Sequence, residues 1–166
     1  FLGNVGIAYG GSLQFSLASF SGDFTKLNDK ESFVVILECA TCDGPVGGKG
    51  GITLGYSMAS LTRSPNGAFT GVPKRVSIPL KEQQALPLGL QGGGWVKDPQ
   101  NSLLPWAPAS QCDIIQVLSR LSKVRILGDW TAWYETVELD DVRITNTKGQ
   151  LPLCAMQRPD ASICTC

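Results

Sequence analysis

The chain has 166 residues, 43% of them hydrophobic and 17% charged, with 14 Lys and Arg balancing 14 Asp and Glu. This hydrophobic content excludes a disordered chain, and the length is sufficient for one domain with its own core. The net charge of +0 argues against nucleic acid as a partner, and no apolar run approaches the ~20 residues of a membrane span, so we expect no membrane insertion.

Three stretches in the first part of the chain predict β-strands, and the 19 Gly and 10 Pro predict many turns between short elements. Apolar Leu13, Phe15 and Leu17 alternate with polar or small residues, and residues 52–58 alternate in the same way. Such alternation is typical of a half-buried strand. The continuous apolar run 33–37 instead indicates either a strand that is covered on both faces or a central strand of a sandwich.

A fourth strand is predicted where Val76, Ile78 and Leu80 alternate around Pro79. Proline donates no hydrogen bond to a sheet, so this strand should lie at an edge or contain a bulge. The connection 84–106 that follows is long for a compact domain, which makes it either functional or host to an unrecognised strand. Further strands are predicted at 123–127, 136–139 and 142–144.

One segment departs from the two-residue period and predicts a short α-helix over residues 112–122. Ser110 can serve as its N-cap, with Asp113 three residues later to complete a capping box. We expect the apolar face of this helix to pack on the end of the sandwich rather than on a partner helix. The residues of that face are Ile114, Ile115, Val117, Leu118 and Leu121. The whole pattern predicts an all-β fold, an antiparallel β-sandwich with one helix.

The six cysteines predict disulfides and therefore an oxidising, extracellular compartment. Cys39-Ala-Thr-Cys42 has the spacing of a zinc or thioredoxin-like site, but it has no second Cys-x-x-Cys, no histidine and no strand-to-helix context beside it. Cys39 with Cys42 would close a small loop and Cys112 with Cys154 a long one, and other pairings stay open. The disulfide candidates are Cys39, Cys42, Cys112, Cys154, Cys164 and Cys166.

The absence of histidine excludes Ser-His-Asp and Cys-His catalysis, and we predict no catalytic residues and no enzyme. A glycosidase would need two carboxylates that face each other. Asp140 and Asp141 are adjacent, so on a strand their side chains point to opposite faces. Either could contribute to a calcium site with carbonyl oxygens, the alternative being solvated carboxylates that flank a turn. We predict no other cofactor.

Aromatic residues are concentrated in the second half of the chain, where they could stack on sugar rings. Trp95 follows three glycines and is the best candidate for an exposed tryptophan, and Trp133 and Tyr134 are the other candidates for facing a glycan. The alternative is that these side chains fill the core, because large aromatic residues are buried more often than they face a ligand.

Several strings, taken in order, resemble the laminin domain IV type A family, also called the laminin B domain. Phe1-Leu-Gly-Asn4 and Ala8-Tyr-Gly-Gly11 match the opening of that family, followed by the strand Ser12-Leu-Gln-Phe15. Trp106-Ala-Pro108 precedes a leucine-rich helix, and Leu139-Asp-Asp-Val-Arg-Ile144 follows it. Cys164-Thr-Cys166 lies where the family passes to a laminin-type EGF-like module.

The resemblance implies a jelly-roll-like β-sandwich in a secreted or cell-surface protein, with no catalytic residues. We expect residues 1–160 to form this domain and residues 161–166 to begin a Cys-rich module or tail. The chain starts without Met, and we expect it to be a segment of a larger protein. The expected function is a structural and adhesion module that contacts neighbouring modules and other extracellular proteins or glycans. The alternative is a carbohydrate-binding module.

Overall fold

The computed structural model describes residues 2–21, 33–43, 50–57, 74–82, 94–130 and 134–145. These residues form eight strands, one α-helix and a single 3₁₀ turn at Gly6–Ala8. The helix α1 is Gln111–Ser119, and the strands are β1 Ser12–Ser21, β2 Phe33–Cys39, β3 Ile52–Ser57, β4 Lys74–Pro79, β5 Trp95–Lys97, β6 Ala107–Pro108, β7 Lys123–Ile126 and β8 Thr136–Thr145. No helix in these described ranges is long and apolar enough to cross a membrane.

The strands form two antiparallel sheets, which confirms the predicted sandwich. One sheet has three strands in the order β4-β1-β8, and the other has five in the order β6-β5-β3-β2-β7. β2, predicted as a central strand from its apolar run, pairs with β3 on one side and β7 on the other. β4 lies at an edge, as Pro79 predicted, because an edge strand tolerates a residue without an N–H.

The core lies between the two sheets and is built from the inward positions of each strand. Leu13, Phe15 and Leu17 of β1 are buried, as their alternation predicted. They belong to one cluster with Leu37 of β2 and Leu54 of β3, so the inner faces of both sheets contribute to a single core.

Helix α1 closes one end of the sandwich, where it contacts the 3₁₀ turn, β2 and β3. The Ser110 hydroxyl accepts a hydrogen bond from the Asp113 N–H and the Asp113 carboxylate accepts from the Ser110 N–H, so the predicted capping box is present. The helix ends at Ser119, earlier than predicted, because Leu121 pairs with Gly3 instead. Its buried residues are Ile114, Ile115, Val117 and Leu118.

Strand β8 corrects the prediction of two strands separated by a turn. It runs continuously from Thr136 to Thr145, with a register shift opposite β1. Gln14 pairs with Arg143 and Ser16 pairs with Asp140, so Phe15 lies opposite two residues of β8. One of them, Asp141, has a φ of 52°. An extra residue in the left-handed region is a β-bulge, which bends a strand without ending it.

The long connection 84–106 does host an unrecognised strand. β5 has three residues and pairs with β3. β6 begins directly after the connection, at Ala107, and its two residues pair with β5. Elements this short carry too few residues to show alternation, so periodicity could not have identified them.

Candidate interaction surface

The end of the sandwich that carries α1, called the helix end below, contains a disulfide. Cys39 and Cys42 are bonded as predicted, with their Cα atoms 5.5 Å apart. Both residues are buried, and the Cys42 Sγ lies 3.4 Å from the carbonyl oxygen of Gln116 in α1. The disulfide therefore closes the turn that follows β2 beside the helix, and its burial keeps it away from external thiols.

Cys112 in α1 is also disulfide-bonded. Its predicted partner Cys154 lies outside the described residues, as do Cys164 and Cys166. The pairing of Cys112 with Cys154 therefore stays a prediction.

An ion pair joins the helix to the five-stranded sheet. Lys97 Nζ of β5 lies 2.6 Å from an Asp113 carboxylate oxygen, and both side chains are largely shielded from solvent. Burial alone would raise the pKa of Asp113, but the hydrogen bonds from Lys97 and Ser110 outweigh it and hold that pKa below its ordinary value. Asp113 is thus both a helix cap and a charged link to the sheet.

A second polar link joins the 3₁₀ turn, the end of β4 and the helix. The Tyr9 hydroxyl donates to the Glu82 carboxylate and accepts a hydrogen bond of 2.9 Å from Gln111 Nε2. Burial, and then the hydrogen bond to Glu82, raise the pKa of Tyr9 to about 12. The phenol therefore stays protonated near neutral pH and holds these three elements together.

Trp95 is not an exposed platform for a glycan, contrary to the prediction. It is 3% exposed, and its Nε1 donates a 2.7 Å hydrogen bond to the Pro79 carbonyl oxygen. Its ring also meets the Tyr56 ring edge to face, with centroids 5.2 Å apart. The residue occupies an inward position of β5 and links the two sheets, which explains its burial. Tyr134 is 89% exposed, while Trp133 lies outside the described residues.

The carboxylates of Asp140 and Asp141 have partners other than a metal ion. An Asp141 oxygen lies 3.0 Å from Arg75 and 3.8 Å from Arg143, and the Asp140 carboxylate accepts a 2.6 Å hydrogen bond from the Asp141 N–H. Within the described ranges, no group of three or more Cys, Asp or Glu side chains is placed to hold a metal. The acidic pair flanks a bulge and not the predicted turn.

The outer side of the five-stranded sheet carries an apolar surface that sequence analysis did not identify. Pro108, Val96, Gly55 and Ile36 form one row across four strands, and they alternate with residues that point into the core. Pro108 is exposed, and Val96 and Ile36 are half-buried. With Trp106 and Phe33, these residues are called the outer apolar face below.

Phe33 and Trp106 stack at the centre of this face. Their ring centroids are 4.3 Å apart, and the Phe33 ring lies over Gly55, where an added Cβ would come within 2.6 Å of it. Gly55 was the available signal, because a glycine inside a strand often marks a close approach of another group. The stack attaches the residues before β6 to the sheet.

A family model described as Laminin B (Domain IV) matches residues 1–153. This chain belongs to the laminin domain IV family. Its fold is similar to the solved L4b domain of human laminin alpha-2, with a TM-score of 0.56 and 16% sequence identity over 86% of this chain. The chain spans 63% of the length of that structure's chain. No curated protein sequence matches it.

Laminin domain IV is a structural module of extracellular matrix proteins, so the extracellular location that the cysteines predicted agrees with the family. The strings that carried the resemblance have structural roles in this laminin IV domain. Gly3 pairs with Leu121, Ser12 to Phe15 begin β1, and Leu139 to Ile144 contain the bulge of β8.

Proposed function

We propose that this laminin IV domain is a rigid, non-catalytic structural and adhesion module of a secreted or cell-surface protein. The observation that carries the proposal is the set of bonds at the helix end. There, an ion pair and hydrogen bonds join residues from the start of the chain, α1 and both sheets, and a disulfide closes the turn that follows β2. A module that spaces its neighbours must transmit force without extending, and densely packed, cross-linked structure does this.

The backbone contributes to the same cross-linking. Gly3 and Leu121 exchange two backbone hydrogen bonds of 2.8 and 2.9 Å. Both the N–H and the hydroxyl of Ser122 donate to the Glu38 carbonyl oxygen, each at 2.8 Å. A pulling force applied at Gly3 is therefore passed directly to the residues that begin β7 and end β2.

Pulling on the chain in optical tweezers, with handles at its two ends, tests this proposal. We expect the described sandwich to unfold in one cooperative step and Ser122→Ala to lower the unfolding force. Ser102→Ala, in an exposed loop, is the matched control and should leave the force unchanged. Gradual extension at low force would contradict a spacer role.

The function requires neighbouring modules of the same protein and other extracellular proteins as partners. We propose that the domain comprises residues 1–160 and that residues 161–166 begin a following Cys-rich module. Limited proteolysis of the longer protein tests the boundary. Cleavage should be concentrated near residue 160, and a stable fragment that ends well before it would contradict the assignment.

A second candidate function is carbohydrate binding, which the 89% exposed ring of Tyr134 favours. An exposed aromatic ring can stack on the apolar face of a sugar. A glycan array with the chain and with Tyr134→Ala, each with and without a chelator, tests this candidate and the calcium prediction together. Binding that is lost in Tyr134→Ala would support it, and calcium would be supported if the chelator also removed binding. No binding under any condition would exclude it.

A further inference from the structure

We propose that the outer apolar face is an interface between two copies of this chain, stacked sheet against sheet about a two-fold axis parallel to the strands. This inference goes beyond the spacer function, and its failure would leave that proposal standing.

The outer apolar face continues into a strip of six uncharged residues, 103–108, which is called the apolar strip below. Leu103 is 89% exposed and Leu104 54% exposed, and Pro108 at the end of the strip is also exposed. Exposed apolar runs of this kind mark contact surfaces, because a monomer gains nothing from leaving them in water.

The loop that carries the strip is held in one shape. The Asp98 carboxylate accepts a 2.7 Å hydrogen bond from the Gln100 N–H, and Gln100 Nε2 donates to the Gly51 carbonyl oxygen at 2.7 Å. The Asn101 side chain accepts a 3.0 Å hydrogen bond from the Leu103 N–H. A loop that is already ordered loses little entropy when it is covered, which favours association.

Strand addition at this edge is disfavoured, so a partner must cover the face and not extend the sheet. The Ala109 N–H donates to the Trp95 carbonyl oxygen in β5. Backbone groups of successive residues point to opposite sides of a strand, so the backbone nitrogen of residue 108 points to the open edge of β6. Pro108 has no N–H to donate there. Two sheets can instead pack face to face about 10 Å apart, with their apolar side chains between them.

The charges at the two sides of the face favour a second copy in one orientation. Lys123 of β7 and Arg125 both contact Glu38, which leaves an excess positive charge on the β7 side. Lys123 and Glu38 lie in the row that continues through Thr53 to Asp98, an acidic residue beyond β5. The two sides of the face are therefore of opposite sign.

A two-fold axis parallel to the strands places the β7 side of one copy over the β5 side of the other. Lys123 of each copy then lies over Asp98 of the second copy. A two-fold axis across the strands would instead place β7 over β7, cation on cation. The chain has a net charge of +0, so no overall repulsion opposes the contact.

Sedimentation velocity on the full chain tests the proposal over roughly 10 µM to 1 mM, the range in which small interfaces associate. We expect the weight-average mass to rise with concentration toward twice 17.7 kDa. Ile36→Glu, which places a carboxylate where β2 of one copy lies over β3 of the other, should keep the chain monomeric. Leu2→Glu changes an apolar residue that is 63% exposed outside the face, and it should associate like the parent chain.

Charge reversal gives a sharper test of the orientation. Asp98→Lys and Lys123→Glu should each be monomeric alone, because each places like charges opposite one another. An equal mixture should form a heterodimer, since both cross-contacts then join opposite charges. Circular dichroism of each variant checks that it is folded.

A chain that stays monomeric up to 1 mM would overturn the proposal, and the face would then serve another partner. The same holds if Leu2→Glu, but not Ile36→Glu, abolishes association, or if the charge-reversed mixture associates no better than its components.

Discussion

Replacing Gly55 with alanine tests whether the stack at the centre of the outer apolar face is formed as described. The new Cβ would lie 2.6 Å from Cδ1 of Phe33 and within 2.9 Å of two further ring atoms. A contact this short forces the ring to move away from Trp106. Overpacking of this kind costs about 1–3 kcal/mol. Alanine offsets roughly 0.5–1 kcal/mol of that cost, because it has less conformational entropy than glycine in the unfolded chain. We expect a net loss of about 1–2 kcal/mol in the free energy of unfolding.

Urea unfolding followed by tryptophan fluorescence measures this loss. The control is Gly55→Ala in a Phe33→Ala background, where no ring opposes the new methyl group. There the substitution should be neutral or stabilising, so the two changes should couple by about 1–2 kcal/mol. An equal loss in both backgrounds would refute the argument, because the ring would then not be the obstacle.

Three further predictions concern the links between the elements. Trp95→Phe leaves the Pro79 carbonyl oxygen without the indole N–H, and it should lower the free energy of unfolding in urea by about 1–3 kcal/mol. The same replacement of a tryptophan on the surface would change that free energy by almost nothing. Replacing Cys39 and Cys42 together by serine should lower the free energy of unfolding by about 2 kcal/mol, because the disulfide closes a short loop. A far larger loss would mean that removing the disulfide unfolds the whole helix end. The raised pKa of Tyr9, about 12, means that its contribution to stability is complete below the ordinary tyrosine pKa of 10.0 and is lost as pH rises through 12. Unfolding followed against pH should show this loss in the parent chain and not in Tyr9→Phe.

The fold was largely predictable from local patterns. Alternation identified β1, β3 and β4, and the apolar run identified the central position of β2, because these patterns report directly which faces are buried. The N-cap at Ser110 was predictable for a similar reason, since a capping box depends on residues only three positions apart. β5 and β6 were not predictable, because elements of three and two residues depend on pairing with β3 rather than on their own sequence.

The candidate surfaces were harder to predict because they depend on register. Trp95 follows three glycines, and nothing local indicates that its position in β5 points inward toward Pro79. Phe33 and Trp106 are 73 residues apart in sequence and meet only because β6 pairs with β5 and β5 with β3. Aromatic composition can predict that stacking will occur, but pairing decides which rings stack.

Asp141 shows how an acidic residue determines the shape of a strand in this domain. Its φ of 52° lies in the left-handed region, which aspartate adopts more readily than most residues with a side chain. The bulge there leaves two residues of β8 opposite Phe15, and bulges increase the local twist of a strand. Arg75 and Arg143 balance the carboxylate, and Asp140 accepts from the Asp141 N–H. These contacts lie at the bulge itself, so the acidic pair stabilises the local shape of β8 beside β1.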